Sequence, residues 1–303
     1  MERARKAVWR QNGTAYLFLL PWLVGFFCLT LGPMIGSFYL SLTKYNLLQP
    51  PKWLGLGNYN EIFTADDSFR HSLAVTFQYV VLSVPLRLVF ALLVAMLLNK
   101  GIRALGIYRT VYYVPSLLGG SVAIAVVWRT IFDGDGLFND FLGWFGLTGP
   151  SWISNPNYIA YTIVTLSVWQ FGSAMVIFLA GLKQIPADLY EAAEVDGASK
   201  VRQMFRITLP LLSPVIFFNL VMTIIHSFQV FTPAYVIGDG RGGPIDSTLY
   251  YTLYLYLKGF SFFDMGYASA LAWIMLVIIG AFTAIVFATS KYWVFYSDGK
   301  PGN

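Results

Sequence analysis

Long apolar segments alternate with short polar ones along nearly the whole chain of 303 residues. Six of the apolar segments reach about 20 residues, the length that an α-helix needs to cross a bilayer. Their approximate bounds are Tyr16–Leu42, Leu73–Leu98, Tyr108–Phe132, Tyr158–Leu182, Leu211–Ile237 and Tyr267–Thr289. The pattern therefore predicts an all-α membrane protein with six transmembrane helices and no soluble domain.

Composition supports this class. Hydrophobic residues make up 57% of the chain and charged residues only 12%, whereas about a quarter of the residues in soluble domains are charged. The first apolar segment follows a basic stretch, as in a secretory signal peptide, but it is too long and lacks a small-residue cleavage site, so we expect a retained span. The single cysteine, Cys28, excludes intramolecular disulfides and cysteine-based metal sites.

Lysine and arginine are distributed unevenly between alternate loops. With the N-terminus placed in the cytoplasm, most of the 20 Lys and Arg residues fall on the inner side, and the outer loop Asp133–Asn157 contains neither. Cytoplasmic loops carry this excess in membrane proteins. The distribution predicts cytoplasmic N- and C-termini in a multi-pass protein of the inner or plasma membrane. It also accounts for the net charge of +5 without a nucleic-acid-binding patch.

The polar segment between the fourth and fifth spans is predicted to form two short helices on the membrane surface. Asp188 precedes Glu191 by three residues, the acidic form of a capping box, so a helix should begin at Asp188. Gly197 should end that helix. Ser199 can cap a second helix, which should run to Pro210. A segment so polar, placed between two spans, suits contact with a partner outside the membrane.

The same segment carries the pattern E-A-A-x-x-x-G, followed about ten residues later by I-x-L-P. This pattern resembles the EAA motif of type I ABC importer permeases, and most closely the carbohydrate-uptake members of the maltose-type first-permease kind. The matching residues are Glu191, Ala192, Ala193, Gly197, Ile207, Leu209 and Pro210, and the fuller carbohydrate form adds Asp196, Ala198, Phe205 and Pro214. In that family the loop, here residues 188–210, docks on a separate ATPase subunit. We refer to residues 188–210 as the coupling segment.

The resemblance also implies an assembly. Family members work with a second homologous permease, two ATPase subunits and an extracytoplasmic solute-binding protein. ATP and Mg are bound by the ATPase subunits, so the chain itself needs no cofactor and is not an enzyme. In agreement, the chain has no G-x-x-x-x-G-K-S/T nucleotide-binding motif. Residues 1–68 are interpreted as an N-terminal tail, first helix and outer loop, residues 69–290 as the five-helix permease core, and residues 291–303 as a cytoplasmic tail.

The expected substrate is a sugar or sugar-like solute: an oligosaccharide, a disaccharide, a monosaccharide or glycerol-3-phosphate. Two groups of polar residues within the spans are candidates for its path. They are Asn219, Thr223, His226 and Gln229 along one face of the fifth span, and Trp169, Gln170 and Ser173 in the fourth. Amides and hydroxyls beside aromatic rings suit neutral polyols. Hydrogen bonding between packed helices uses the same residue types, so both interpretations stay open.

Charges within the spans bear on the energy source. All 15 acidic residues lie outside the predicted spans, whereas Arg87 lies inside the second. An ion-driven carrier normally needs a buried carboxylate, so an external ATPase is favoured over the alternative, an ion-coupled secondary carrier or channel acting without one. Arg87 should face backbone carbonyls, a water-filled cavity or a partner subunit. A direct role with an anionic substrate is the second interpretation.

We expect cysteines placed at Ser199 and Asn139 to be labelled from opposite sides of the membrane. Ser199 should react only with reagent that reaches the cytoplasm, because the distribution of Lys and Arg places the coupling segment there. Accessibility to an impermeant maleimide, in a variant whose Cys28 is replaced by serine, measures this. Labelling of both positions from outside would reverse the proposed orientation.

Overall fold

The structure, a computed structural model, describes residues 17–101 and 105–295. The predicted N-terminal tail and most of the predicted cytoplasmic tail lie outside these residues. Within the described ranges, four helices are long and apolar enough to cross a membrane, and two bent helix pairs raise the number of candidate spans to six. The predicted helical membrane fold is therefore confirmed. The chain divides into two compact units.

The first unit comprises residues up to Ala65 together with Lys258–Met275. Its N-terminal helical run consists of α1 (residues 17–25), a wider π-helical turn and α2. A short antiparallel hairpin and one amphipathic helix follow. The bounds after α1 are Phe26–Leu31 for the π turn, Gly32–Ser41 for α2, Thr43–Lys44 for β1, Lys52–Trp53 for β2 and Gly57–Thr64 for α3. The last helix, α15, covers Met265–Trp293 and contributes its residues up to Met275 to this unit.

A buried asparagine links α3 to the end of α2 and the start of β1 in the first unit. The Asn58 side-chain amide donates to the carbonyls of Ser41 (2.8 Å) and Thr43 (2.9 Å), where α2 ends and β1 begins. The hydroxyl of Tyr59 lies 2.8 Å from that of Ser41. Carbonyls at a helix end have no partner within the helix, so this one side chain satisfies main-chain groups that would otherwise be buried without a hydrogen bond.

The second unit comprises Asp66–Leu257 and the chain from Leu276 onward. Its longest helix, α4, packs against α8, α9, α12 and α14 and forms the centre of the apolar core. The described α-helices of this unit are the part of α15 from Leu276 onward and α4 (Asp67–Leu98), α5 (Leu105–Leu118), α6 (Val122–Ile131), α7 (Leu137–Gly143), α8 (Pro156–Trp169), α9 (Gly172–Leu182), α10 (Ala187–Val195), α11 (Lys200–Gln203), α12 (Leu209–Phe228), α13 (Thr232–Ile237) and α14 (Tyr251–Tyr256). The side chains of Ala91, Leu166, Met175, Phe178 and Leu212 are fully or almost fully buried.

Three of the predicted spans are interrupted. The third is not a straight helix, because α5 and α6 meet at 99°, and the fourth bends by 42° between α8 and α9. The fifth breaks between α12 and α13 at residues 229–231. The first break falls at Gly119 and Gly120, a residue type that weakens helices, and Ser121 then caps α6 by accepting from the Ile124 N–H. Because the residues on both sides of each break are apolar, the mean hydropathy over a window as long as a membrane span does not reveal the break.

Close contact between α5 and α9 depends on a glycine at the second break. A Cβ atom at Gly172 would lie 2.3 Å from the carbonyl oxygen of Tyr112 and 2.8 Å from the Cα of Tyr113. Both obstacles are main-chain atoms, so they cannot move aside as a flexible side chain can. The absence of a side chain at Gly172 therefore sets the distance between these two helices.

We expect Gly172→Ala to destabilise the protein by about 1–3 kcal/mol, the range for overpacking a tight contact. Thermal unfolding of the detergent-solubilised protein measures this. Gly106→Ala is the matched control, because Gly106 lies on α5 and a Cβ there meets nothing within 4 Å. Equal stability of the two variants would contradict the steric explanation.

Candidate substrate cavity and coupling segment

The three helix breaks converge on one cavity of about 440 Å³. Gly119 and Gly120 line it from the α5–α6 break, Gln170 from the α8–α9 break, and Gln229 with neighbouring residues from the α12–α13 break. Helix ends expose main-chain groups and allow polar side chains to face inward, and transporters place binding sites at such interrupted helices. Other lining residues include Tyr79, Arg87, Ser116, Ser167, Ser173, His226, Phe231 and Thr232.

The main-chain carbonyl of Gln170 is the centre of the hydrogen bonding around this cavity. It accepts from the Arg87 guanidinium (Nη2, 2.7 Å) and from the Ser116 hydroxyl (2.9 Å). The Ser116 oxygen in turn accepts from the Ser173 N–H (3.0 Å), and the Gln170 side-chain amide donates to the Gly119 carbonyl (3.0 Å). Three helices are thus connected through the break between α8 and α9.

Five of the residues proposed for the substrate path line the cavity. They are Arg87, Gln170, Ser173, His226 and Gln229. Of the surroundings expected for Arg87, the structure shows a main-chain carbonyl and a cavity. Whether any of the five touches substrate stays a prediction.

The other three proposed residues are not among the lining residues. Asn219 is 3% exposed and donates to the Val215 carbonyl of its own helix (3.1 Å). Thr223 is also buried, and the Trp169 ring packs against Trp128 with centroids 5.7 Å apart. These surroundings are those of packed side chains, and a role of the three residues in the substrate path stays a prediction. The polar face of the fifth span therefore has two parts. Asn219 and Thr223 are buried, whereas His226 and Gln229 are exposed.

Sequence reasoning missed several lining residues. Tyr79 on α4 and Phe231 after α12 give the cavity aromatic surface, and Ser116 precedes the break at Gly119. The paired glycines at 119 and 120 were the available signal, since two adjacent glycines inside an apolar run weaken a helix. Tyr79 carries no such signal, because its place on the lining depends on tertiary packing alone.

The coupling segment has the predicted turn at Gly197. There φ is +74°, a conformation that favours glycine. The N–H of Ala198 donates to the Ala193 carbonyl (2.8 Å) and that of Gly197 to the Glu194 carbonyl (3.0 Å), the pair of bonds of a Schellman C-cap. Ser199 caps the next helix by accepting from the Arg202 N–H.

Two details of the predicted helices are wrong. The first helix begins at Ala187 after Pro186 without a side-chain cap; Asp188 therefore lies in the first turn, where its charge still favours the helix dipole. The second helix does not end at Pro210. It continues through a π-helical turn, Met204–Thr208, into α12, with the Leu209 N–H donating to Met204. This wider turn shifts the bonding by one residue just before the proline, which would interrupt a regular α-helix.

The surface of the coupling segment combines charge with exposed apolar side chains. Val195 is 89%, Val201 67% and Phe205 64% exposed. Beside them, Lys200 forms a salt bridge with Glu194, and this hydrogen bond lowers the pKa of the Glu194 carboxyl. Of the residues proposed for coupling, Glu191, Ala192, Asp196, Gly197 and Phe205 are exposed, and Ala193, Ala198, Ile207, Leu209 and Pro210 are half-buried.

Comparison with known families identifies the chain. Residues 67–294 match the family described as binding-protein-dependent transport system inner membrane component. The chain belongs to this family. It is therefore an ABC importer permease, a multi-pass membrane protein and a transport subunit rather than an enzyme. The alternative of an ion-coupled carrier or channel is set aside.

Similar proteins span nearly the same length. The chain is 52% identical to the probable ABC transporter permease protein YesP of Bacillus subtilis, covering 98% of this chain and 96% of the relative. It is 33% identical to the probable starch degradation products transport system permease protein AmyD of Thermoanaerobacterium thermosulfurigenes, covering 95% and 98%. It is 32% identical to the trehalose/maltose transport system permease protein MalF of Thermococcus litoralis, covering 95% and 97%.

A solved structure shows the same fold. A chain of a bacterial ABC transporter involved in the import of the acidic polysaccharide alginate superposes with a TM-score of 0.80 at 23% identity, covering 95% of this chain and 98% of that one. A similarity at this level of identity concerns the fold alone. The predicted importer-permease fold is confirmed.

We expect Gly197→Val to lower transport and stimulated ATPase activity together in the assembled transporter while membrane insertion stays normal. Nothing lies within 4 Å of a Cβ at Gly197, so the effect comes from backbone strain, about 1–3 kcal/mol for a β-branched residue at positive φ. Gly197→Asn is the control, because asparagine tolerates this conformation. Wild-type uptake by the valine variant would show that the turn is not needed for coupling.

Proposed function

We propose that this chain, with a second homologous permease, forms the path by which a sugar or sugar-like solute is imported, driven by separate ATPase subunits. The cavity at the three helix breaks carries the proposal. The names of several relatives support the substrate class: AmyD for starch degradation products, MalF for trehalose and maltose, and the lactose transport system permease protein LacF of Rhizobium radiobacter, 30% identical over 91% of this chain.

The lining of the cavity suits a polyhydroxy solute. The Gln229 amide, the Ser173 and Thr232 hydroxyls and exposed main-chain groups at the breaks can bond sugar hydroxyls, and Tyr79 and Phe231 offer rings for the C–H faces. A volume of about 440 Å³ lies within the usual range of small-molecule sites. The second permease would close the path from the opposite side.

The coupling segment would transmit the work of the ATPase subunits. Its apolar side chains Val195, Val201 and Phe205 are exposed within polar surroundings, as expected of a surface that a partner covers. The helical run from Lys200 to Phe228 connects this surface to His226 and Gln229 over about 40 Å. Closure of the ATPase subunits would move one end of that run and thereby change access to the cavity at the other.

The remaining parts of the assembly follow from this scheme. An extracytoplasmic solute-binding protein would deliver the substrate to the outer side; the family description names dependence on a binding protein. ATP and Mg would be bound by the two ATPase subunits, with no cofactor in this chain. The termini and the coupling segment would face the cytoplasm.

Reconstitution tests the proposal. Proteoliposomes with both permeases, the ATPase subunits and the binding protein should accumulate the sugar only with ATP inside. Omission of the ATPase subunits should abolish uptake even in the presence of a proton or sodium gradient. Uptake driven by an ion gradient without the ATPase subunits would refute it.

We expect Gln229→Ala to reduce uptake or change sugar preference while binding-protein-stimulated ATPase activity largely survives. Removing a cavity amide leaves sugar hydroxyls without a partner, at a cost of about 1–3 kcal/mol. Asn219→Ala is the matched amide control. Since Asn219 is buried against its own helix, its loss should lower thermal stability and leave preference unchanged. Unchanged uptake and preference in the Gln229 variant would remove this residue from the path.

A further inference from the structure

The cavity is lined by the guanidinium of Arg87 and, among the described residues, by no acidic side chain. Arg87 and His226 line it, and none of its lining residues is Asp or Glu. Among the described residues, the salt bridges involve Arg70, Arg129 and Lys200 but not Arg87. The Nε atom of Arg87 is buried and has no hydrogen-bond partner. A guanidinium held within a membrane span without a counter-charge is costly.

A neighbouring cavity is also lined by an arginine. A second space of about 440 Å³ lies between α5 and α9, and Arg109 lines it. Ser173 lines both cavities, so they adjoin. This second lining also contains no acidic residue. Two adjoining cavities in the same unit are therefore each lined by an arginine and by no carboxylate.

The hydrogen bond from Arg87 to the Gln170 carbonyl does not explain why a charged residue is needed at this position. Arg87 donates through Nη2 to the Gln170 carbonyl, but the neutral Ser116 hydroxyl donates to the same oxygen. Capping a carbonyl needs a donor and not a cation. Arginine is the residue best suited to bind a carboxylate or phosphate, because its planar fork matches two oxyanion oxygens.

Building on the proposed function, we propose that the imported solute is an anionic polyhydroxy compound whose oxyanion, a uronate carboxylate or a phosphate ester, pairs with Arg87. The hydroxyls of the same solute bind the amide and hydroxyl groups of the lining. Arg109 supplies a second positively charged side chain, in the lining of the adjoining cavity. The solute thus brings the counter-charge that the lining lacks.

Uptake by the complete transporter with its own binding protein separates the substrate classes. The probes are labelled neutral oligosaccharides, uronate oligosaccharides of equal length, and glycerol 3-phosphate. Preferred uptake of a uronate or of the phosphate ester is the expected result, and the preferred probe identifies which oxyanion is used. Uptake of neutral sugars alone overturns this inference and leaves the proposed function standing. Failure to import any of the probes counts against both.

Substitution at Arg87 then tests the pairing itself. The readout is the ratio of uptake of the anionic solute to that of its uncharged counterpart: the methyl ester for a uronate, or glycerol for the phosphate ester. Arg87→Gln should lower this ratio about ten- to a hundred-fold, the range for losing a charge-assisted hydrogen bond. Arg87→Lys keeps the positive charge and should therefore keep the uptake ratio close to the wild-type value. A helix-packing role would change total uptake without changing the ratio.

Two controls isolate the charge. Ser116→Ala disturbs the same Gln170 carbonyl without removing a cation, so the ratio should stay at the wild-type value. Arg70→Gln removes an exposed arginine from the outer end of α4, where it pairs with Asp67, and should leave uptake unchanged. The proposal is overturned if Arg87→Gln leaves the uptake ratio unchanged, or if Ser116→Ala lowers the ratio as much as Arg87→Gln does. Either result would mean that the solute does not supply the counter-charge of Arg87.

Discussion

The main-chain carbonyl of Gln170 is the point on which the arrangement of the permease core depends. A helix that stops inside a membrane leaves carbonyls that water cannot reach, and each needs a donor from elsewhere in the protein. Arg87 from α4 and Ser116 from α5 supply those donors. The need to satisfy one break therefore fixes three helices relative to one another and leaves a polar space where they meet.

A second constraint acts along the chain. Proline at position 210 would normally end a helix, yet the π-helical turn Met204–Thr208 carries the helix past it. One helical run therefore leads from the exposed coupling segment to His226 and Gln229 in the cavity lining. In the proposed mechanism, this continuous helix would transmit movement from the coupling segment to the cavity without a chain of side-chain contacts.

Sequence reasoning recovered what depends on composition and local chemistry. The spans, the turn at Gly197 and the capping serine at 199 follow from hydropathy and from the backbone preferences of single residues. The breaks in the third, fourth and fifth spans were missed, because apolar residues flank them and only tertiary partners make them stable. For the same reason the polar face of the fifth span was treated as one surface, although Asn219 packs while Gln229 faces the cavity.

The exposed apolar side chains of the coupling segment have a consequence for the cell. Exposed apolar side chains such as Val195 and Phe205 promote non-specific association unless a partner covers them. In the proposed assembly, a copy inserted into the membrane before its partner subunits would be prone to aggregation and to proteolysis. Synthesis of the subunits in matched amounts would then keep this surface covered, since surplus copies of this chain would leave it exposed.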